Sequence, residues 1–471
     1  VTVNRVKLAQ EARKKMKQMR PNLKGILIIA LVLFCAPARP VAAFAPQQQD
    51  NKPAPYTIPE YNAFQAARAE TNPANRIKLL DDFVSKFPAS TLMPYVSQLY
   101  MSTYSELKDY PKVIDTADKI AAMGDKVDAG VRLQALQTRV QAFSSGFNAK
   151  APDAHDQLVK ERDAAIQGAT LLTNYPKPAG STVSDADFAA QKKPGIAFFY
   201  AAAGFADLQL KDYPAAIDAF KQANANSPAD PVNNYRLGLA YLNSTPPQSI
   251  DGFWYLARAI NLKVPDADKI KDYLRKAIYN YEQPGCDSSV DDQLKELLTL
   301  AGTSGDRPAT YTIPAAADLQ KVAQASTILT VITDLGAGGD KAKETWLAIC
   351  GAQFPGVVGK IIEVKPGDGF VNFLVATGAD DAALQAATTP NMDVKVWTAA
   401  PPAGAAGAAQ NTAQPDVLRL AKDDGLRFSG AIVSYDPTPF LLHWDQVKVD
   451  PTIIPEKAEA GKPHKKVPAK Q

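Results

Sequence analysis

Lys211-Asp212-Tyr213-Pro214-Ala215-Ala216-Ile217-Asp218 echoes Lys108-Asp109-Tyr110-Pro111-Lys112-Val113-Ile114-Asp115, which lies 103 positions earlier in a chain of 471 residues. A shared Lys-Asp-Tyr-Pro-x-x-Ile-Asp pattern at that distance fits three repeats of about 34 residues, a period of stacked helical hairpins. Around the later copy, Tyr200, Ala203, Gly204 and Ala206 follow helical spacing, Tyr213 closes a turn, and Ala216, Phe220 and Ala223 continue until Pro228. Small residues at Gly204 and Ala216 let two antiparallel helices approach, while Tyr200, Tyr213 and Phe220 fill the space between them. Each large side chain buried this way contributes on the order of 1.5–3 kcal/mol. One hairpin cannot cover such apolar surface alone, so neighbouring hairpins must stack.

Working outward, the next hairpin carries Tyr235, Leu237, Gly238 and Tyr241, a loop enlarged by Thr245-Pro246-Pro247, then Trp254, Leu256, Ala259 and Leu262. An earlier one spans 94–127 through Tyr95, Tyr100, Tyr104, Tyr110 and Ala117. More degenerate pairs fit 59–90, 131–175 and 267–301. The outer ones lack the small-residue signature, as capping repeats do. Residues 197–230 resemble a tetratricopeptide repeat (TPR) almost position by position. The resemblance implies a mainly α chain, a TPR-like α-solenoid of about six helical hairpins over 59–310, preceded by a linker at 46–58. Segment 176–194, with Pro176, Pro178, Gly180, Lys192, Lys193 and Pro194, reads as a polar loop on the array's edge. Tyr-Thr-Ile-Pro occurs at 56–59 and again at 311–314, each time with Pro where a helix can begin.

Past Gly356 the apolar periodicity switches from helical to alternating, giving candidate strands at 357–364, 370–376, 394–398, 426–435 and 440–449. Pro366-Gly367-Asp368-Gly369 and Asp436-Pro437-Thr438-Pro439 mark tight hairpins, and an Ala/Gly/Pro stretch at 399–410 interrupts the third connection. Five short strands suit a small closed β-barrel over 351–450. Their pattern resembles an OB-like Greek-key barrel, with an SH3-like barrel as the alternative. Between array and barrel, a helical connector at 311–350 reads as two helices, 315–334 and 340–349, with Trp346 packing on the barrel base. Residues 451–471, including Lys462, Lys465, Lys466 and Lys470, read as a disordered basic tail.

At the other end, Arg13, Lys14, Lys15, Lys17, Arg20 and Lys24 lead into an apolar run at 26–34 and small residues through Ala45, the layout of a signal peptide over 1–45. The run falls short of the roughly 20 apolar residues that a membrane helix needs. Cleavage is expected after Ala43-Phe44-Ala45 or Val41-Ala42-Ala43, so membrane contact is transient; an uncleaved anchor in the inner membrane is the alternative. Initiation at Met16 or Met19 would give a signal of more usual length. Residues 1–45 hold nine basic residues and one acid, a net +8 against +3 for the chain, which leaves −5 for the remainder. Nucleic-acid binders carry a basic excess instead, so nucleic acid is not an expected partner. Cys35 lies in the signal. Cys286 and Cys350 read as separately buried thiols, although an oxidising compartment would permit a disulfide.

The sequence holds no phosphate-binding loop, nucleophile elbow, His-Glu-x-x-His or Cys-x-x-Cys. His155 stands at a polar helix start, His464 in the tail, and His443 in a strand beside Trp444, where a barrel-face role is expected ahead of ligation. Asp380-Asp381 and Asp423-Asp424 precede helix or turn positions, where carboxylates cap amides. No enzyme activity, metal or cofactor is expected. In TPR proteins the first helices line the concave face. The resemblance maps its partner-contacting positions onto Tyr95, Gln98, Ser102 and Glu106, onto Phe198, Phe205 and Gln209, and onto Tyr235, Leu239 and Asn243. Family members that clamp a C-terminal carboxylate use Lys and Asn at positions held here by Ala201, Phe205, Tyr235 and Leu239. That lining suits an amphipathic helix or hydrophobic segment, unless the chain's own helix at 315–334 covers the face. The expected role is an exported periplasmic or cell-envelope scaffold that binds protein or peptide partners. The alternative is a cell-wall glycan or oligosaccharide-binding module, with Tyr435, Phe440 and Trp444 on one barrel face.

Overall fold

The repeated Lys-Asp-Tyr-Pro is a tight junction between two helices. In the computed structural model, which describes residues 56–402 and 411–456, Lys108 and Lys211 both take the left-handed conformation (φ 57° and 65°). The following Asp109 and Asp212 amides then reach back to the carbonyls of Tyr104 and Asp207, each at 2.9 Å. Their carboxylates turn forward and accept from the amides of Lys112 (3.3 Å) and Ala215 (3.2 Å), capping the next helix. Pro follows in the first turn, where its missing amide costs nothing. The signal segment 1–45, residues 46–55, the stretch 403–410 and the tail beyond residue 456 lie outside the described residues.

The chain divides into two units between Ser227 and Pro228. In the first, eight helices pair in sequence: α1 (Ile58–Ala69), α2 (Pro73–Lys86), α3 (Met93–Glu106), α4 (Tyr110–Ala122), α5 (Ala129–Gly146), α6 (Ala154–Thr173), α7 (Asp185–Leu210) and α8 (Tyr213–Asn226). Close approach is enforced where expected: a Cβ added at Gly204 would lie 2.9 Å from the Phe220 ring. The polar loop expected at 176–194 is shorter, because α7 starts at Asp185 and runs through Pro194 for 26 residues. Ser184 caps it by accepting from the Asp187 amide, and Ile196, Ala197 and Phe199 are buried just beyond the proline. That burial outweighs the hydrogen bond an interior proline removes.

The second unit begins with α9 (Pro231–Asn243), α10 (Ser249–Asn261), α11 (Ala267–Glu282) and α12 (Ser288–Thr303). Three short helices follow: α13 (Ala316–Ala325), α14 (Ile328–Ala337) and α15 (Gly339–Ile349). The single helix expected over 315–334 is thus broken, because Thr327 starts a new one through a reciprocal cap with Thr330. Cys286 and Cys350, expected as separate thiols, form a disulfide with Cα atoms 5.3 Å apart. The junction between α11 and α12 lies flat on the end of α15: the Gly285 amide donates to the Leu347 carbonyl, and a Cβ on Gly285 would lie 1.9 Å from the Cys350 carbonyl oxygen.

Five strands then close a barrel in the order β1-β2-β3-β5-β4: β1 (Gln353–Pro366), β2 (Phe370–Ala376), β3 (Met392–Trp397), β4 (Gly425–Pro437) and β5 (Phe440–Val449). β3 and β5 pair in parallel and the other pairs are antiparallel, the Greek-key closure expected of an OB-like barrel rather than the SH3-like alternative. A short α16 (Asp381–Ala386) joins β2 to β3. Phe373, Phe428 and Trp444 fill the core together with Val331 and Leu335 of α14 and Ala342 and Ile349 of α15. Trp346 packs on it from outside, its ring centroid 5.1 Å from that of Tyr435. Residues 451–453 form a turn and Ile453 and Ile454 rest on the barrel core, so the start of the expected tail belongs to this unit.

Candidate partner-binding surfaces

Tyr95, Gln98, Ser102 and Glu106 recur every three or four residues and share one face of α3. Tyr95 is 47% exposed and is the one exposed aromatic among the described residues of 56–227. Ser102 and Glu106 are exposed beside it, Glu106 held by Arg76 at 2.9 Å, while half-buried Gln98 donates to its own Pro94 carbonyl. Of the three expected positions on α7, only Gln209 is exposed. Phe198 joins the cluster of Phe199 and Ile196, and Phe205 the cluster of Phe143 and Leu158, so both rings are half consumed by the array.

The expected positions on α9 are more closed. Leu239 is 5% exposed and packs inside, and the Asn243 side chain donates to the Leu239 carbonyl at 2.7 Å. Tyr235 is half-buried; burial first, then neighbouring Tyr273, pushes its hydroxyl up to about 12. The 315–334 region packs beside α11 and α15 instead of on α9. What lies on this hairpin is segment 304–311, laid along α10, and no pattern in the sequence pointed to it. Its carbonyl at Ser304 accepts from the Arg258 guanidinium, and the Asp306 carboxylate accepts from the Tyr255 hydroxyl at 3.2 Å. Arg307 reaches the Asp251 carboxylate at 2.8 Å, and the Tyr311 ring lies 5.7 Å from that of Trp254. The available signal was the spacing of Asp251, Trp254, Tyr255 and Arg258, four polar and aromatic groups on one helical face.

In the barrel, the three aromatics expected on one face do not form an open surface and instead pack with the barrel core. Trp444 is 1% exposed and points inward, edge-on to Phe428 at 5.1 Å and to Phe354 at 5.8 Å. Tyr435 and Phe440 stay half-buried at the rim, 6.4 Å apart. Another cluster lies along β2 and β3: the half-buried Lys395 ammonium sits 4.6 Å from the half-buried Phe370 ring centre and 4.4 Å from that of Trp397, which is buried. Beside it His443 bridges Asp393 (3.3 Å) and Asp436 (2.9 Å) across three strands. Asp380 caps α16 through the Ala383 amide, and Asp424 accepts from the Ala421 amide, both local backbone roles. His155 is exposed beside Asp156, and His464 lies outside the described residues.

Three buried carboxyls are pushed upward. Burial raises Glu282 to about 8; burial also raises Glu161 to about 7 against the pull of Arg139, and Asp207 to about 6 against Arg162. Glu161 is paired with Arg139, whereas both Glu282 oxygens lack a hydrogen-bond partner. Among the described residues no cluster of three or more His, Cys, Asp or Glu side chains is placed to hold a metal ion, and no helix is long and apolar enough to cross a membrane.

No family model and no curated protein matches the chain. Among solved structures, the C-terminal part of a TPR repeat-containing protein from Cytophaga hutchinsonii aligns over 51% of this chain and 92% of its own, at 16% identity and a TM-score of 0.23. A likeness that low carries no weight, so the stacked hairpins and the closed five-stranded barrel rest on the chain's own geometry.

Proposed function

We propose that this chain is a non-catalytic scaffold, exported to the periplasm or cell envelope, that binds protein or peptide partners through first-helix faces of its hairpins. The α3 face carries this reading: exposed Tyr95 with Ser102 two turns on, where every other aromatic among the described residues of 56–227 is buried or half-buried. A solvent-facing tyrosine supplies large contact area and a hydroxyl at low entropic cost, the profile of an interface anchor. Export is supported by the signal-like segment at 1–45 and by the Cys286–Cys350 disulfide, a bond that persists in oxidising compartments. Placing a photo-crosslinking side chain at position 95 or 209 in the native host is expected to trap one reproducible protein, whereas position 199 traps none. Equal labelling at all three positions, or recovery of the chain in the cytosol, would sink the proposal.

A second reading is favoured by Lys395, Phe370 and Trp397. The half-buried Phe370 ring and Lys395 ammonium on a β2–β3 face suit an oligosaccharide and replace the rim aromatics as its contact residues, with Trp397, 5% exposed, packed behind them. Soluble cell-wall fragments are expected to quench Trp397 fluorescence in this case; an unchanged spectrum at saturating fragment removes it.

A further inference from the structure

The contacts between α10 and segment 304–311 have the form of peptide recognition. Asp251, Trp254, Tyr255 and Arg258 stand at i, i+3, i+4 and i+7, so they project from one face of α10. Each meets a different feature of a bent, irregular segment, with bends at Gly305 and Asp306 and a turn closed by the Tyr311 amide on the Pro308 carbonyl at 3.0 Å. Arg258 reads the Ser304 carbonyl, and the Trp254 indole points at the Gly305 carbonyl at a long 3.5 Å. The Tyr255 hydroxyl and the Asp251 carboxylate read the charged pair Asp306 and Arg307. Arg307 in turn folds back on the Tyr311 carbonyl at 2.8 Å and fixes the segment's curvature. Contacts to two main-chain carbonyls give affinity to any chain that can take this bend, and an acid followed by a base gives the sequence preference.

The reading side is held in place independently of the segment. Arg258 is anchored by Asn234 at 3.1 Å and by the Pro228 carbonyl at 3.2 Å, both outside the segment. The segment itself is superficial: Gly305, Asp306, Ala309 and Thr310 are exposed, and only Tyr311 and Ile313 enter the interior. Even that anchor is imperfect, since the Tyr311 hydroxyl is buried without a hydrogen-bond partner. A face whose Arg258 is oriented from outside the segment thus lies under a segment whose outer residues are exposed.

We infer that α10 carries a peptide-docking face, that segment 304–311 is its built-in ligand, and that the same face accepts a Gly-Asp-Arg-Pro-type peptide in the same bent conformation from another chain once the segment lifts. This surface is on a second helix and is separate from the first-helix faces, so it stands or falls apart from the scaffold reading. The segment competes from roughly millimolar effective concentration, being tethered directly to α12. Wild-type protein is therefore expected to bind an added peptide weakly.

The test uses the full chain and a fluorescent peptide of residues 302–313, followed by anisotropy. Asp306→Ala with Arg307→Ala weakens the internal segment's hold and is expected to tighten apparent peptide binding at least tenfold. Adding Arg258→Ala to that variant is expected to remove the gain. If the double substitution loses helical circular dichroism, Asp306→Asn alone carries the same comparison. Equal affinity for wild type and the weakened variant, no binding to either, or indifference to Arg258→Ala would each overturn the inference. Loss of the position-95 crosslink would leave this result untouched.

Discussion

Glu282, the last residue of α11, is wholly buried and neither of its oxygens has a hydrogen-bond partner. Burial alone lifts its carboxyl to about 8 from the ordinary 4.5. The groups around it offer no relief: Glu282 itself presses upward on the hydroxyls of Tyr281 and Tyr311, and Asp318 and Glu296 act on those tyrosines in the same direction. In the unfolded chain the carboxyl ionises near 4.5, whereas in the folded chain it holds its proton until about 8. The unfolded state therefore binds fewer protons across that window, and stability falls as pH rises through it, by at most about 1.4 kcal/mol per unit from this group. Urea titrations at pH 5, 6, 7 and 8 are expected to show Glu282→Gln with a shallower decline than wild type. The contributions of Glu161 and Asp207 cancel in that difference, and parallel slopes would refute the assignment. Nothing local in the sequence marked Glu282, and one of the groups it is coupled to, Tyr311, lies 29 positions further on. Trp444 illustrates a different limit. Alternation correctly groups Phe440, Leu442 and Trp444 on one side of β5, but period alone does not say which side faces the core.

At the scale of elements, the helix junctions were the most legible part, since Lys-Asp-Tyr-Pro encodes a left-handed residue, a cap and a first-turn proline in four consecutive positions. Lys211 pays a backbone cost there that glycine would not, while Asp212 contributes the cap. Lys211→Gly is expected to stabilise the first unit by about 0.5–1 kcal/mol and Asp212→Ala to destabilise it by about 1 kcal/mol, both read by chemical denaturation. Loss of stability in both would show that the turn is held by something else. Gly204 balances two opposed effects. Alanine is the better helix former by about 1 kcal/mol, yet its Cβ would press on the Phe220 ring at 2.9–3.0 Å, and Phe220 is fully buried with nowhere to shift. Overpacking of that kind costs about 1–3 kcal/mol, so Gly204→Ala is expected to be net destabilising. The α7 boundary was less legible, because Pro194 reads locally as a helix breaker and only burial of the residues after it keeps the helix going.

Across the whole molecule, the repeated junction, local periodicity and the resemblance they carry were enough for six hairpins and five strands, because each of these signals is local. Pairings between distant segments were not legible in the same way. Segment 304–311 finds α10 about fifty positions back, and Cys350 finds Cys286 across 64 positions, with no pattern linking them. The disulfide joins the turn between α11 and α12 to the residue that caps the end of α15, so its loop encloses α12 to α15 entirely within the second unit. Closing a loop of that length removes unfolded-state entropy worth roughly 4 kcal/mol at most, and commonly about 2–4 kcal/mol in practice. Replacing both cysteines by alanine is accordingly expected to lower the stability of residues 228–456 by about that amount. Amide exchange in α1 to α8 is expected to stay at its wild-type rate, because no part of the closed loop enters residues 56–227. Mass-spectrometric hydrogen exchange on the two proteins separates these outcomes peptide by peptide. Faster exchange spread evenly over both units would mean that the chain unfolds as one cooperative body and that the bond stabilises all of it, while unchanged exchange in α12 to α15 would mean that packing of Gly285 on Cys350 holds the junction without the bond.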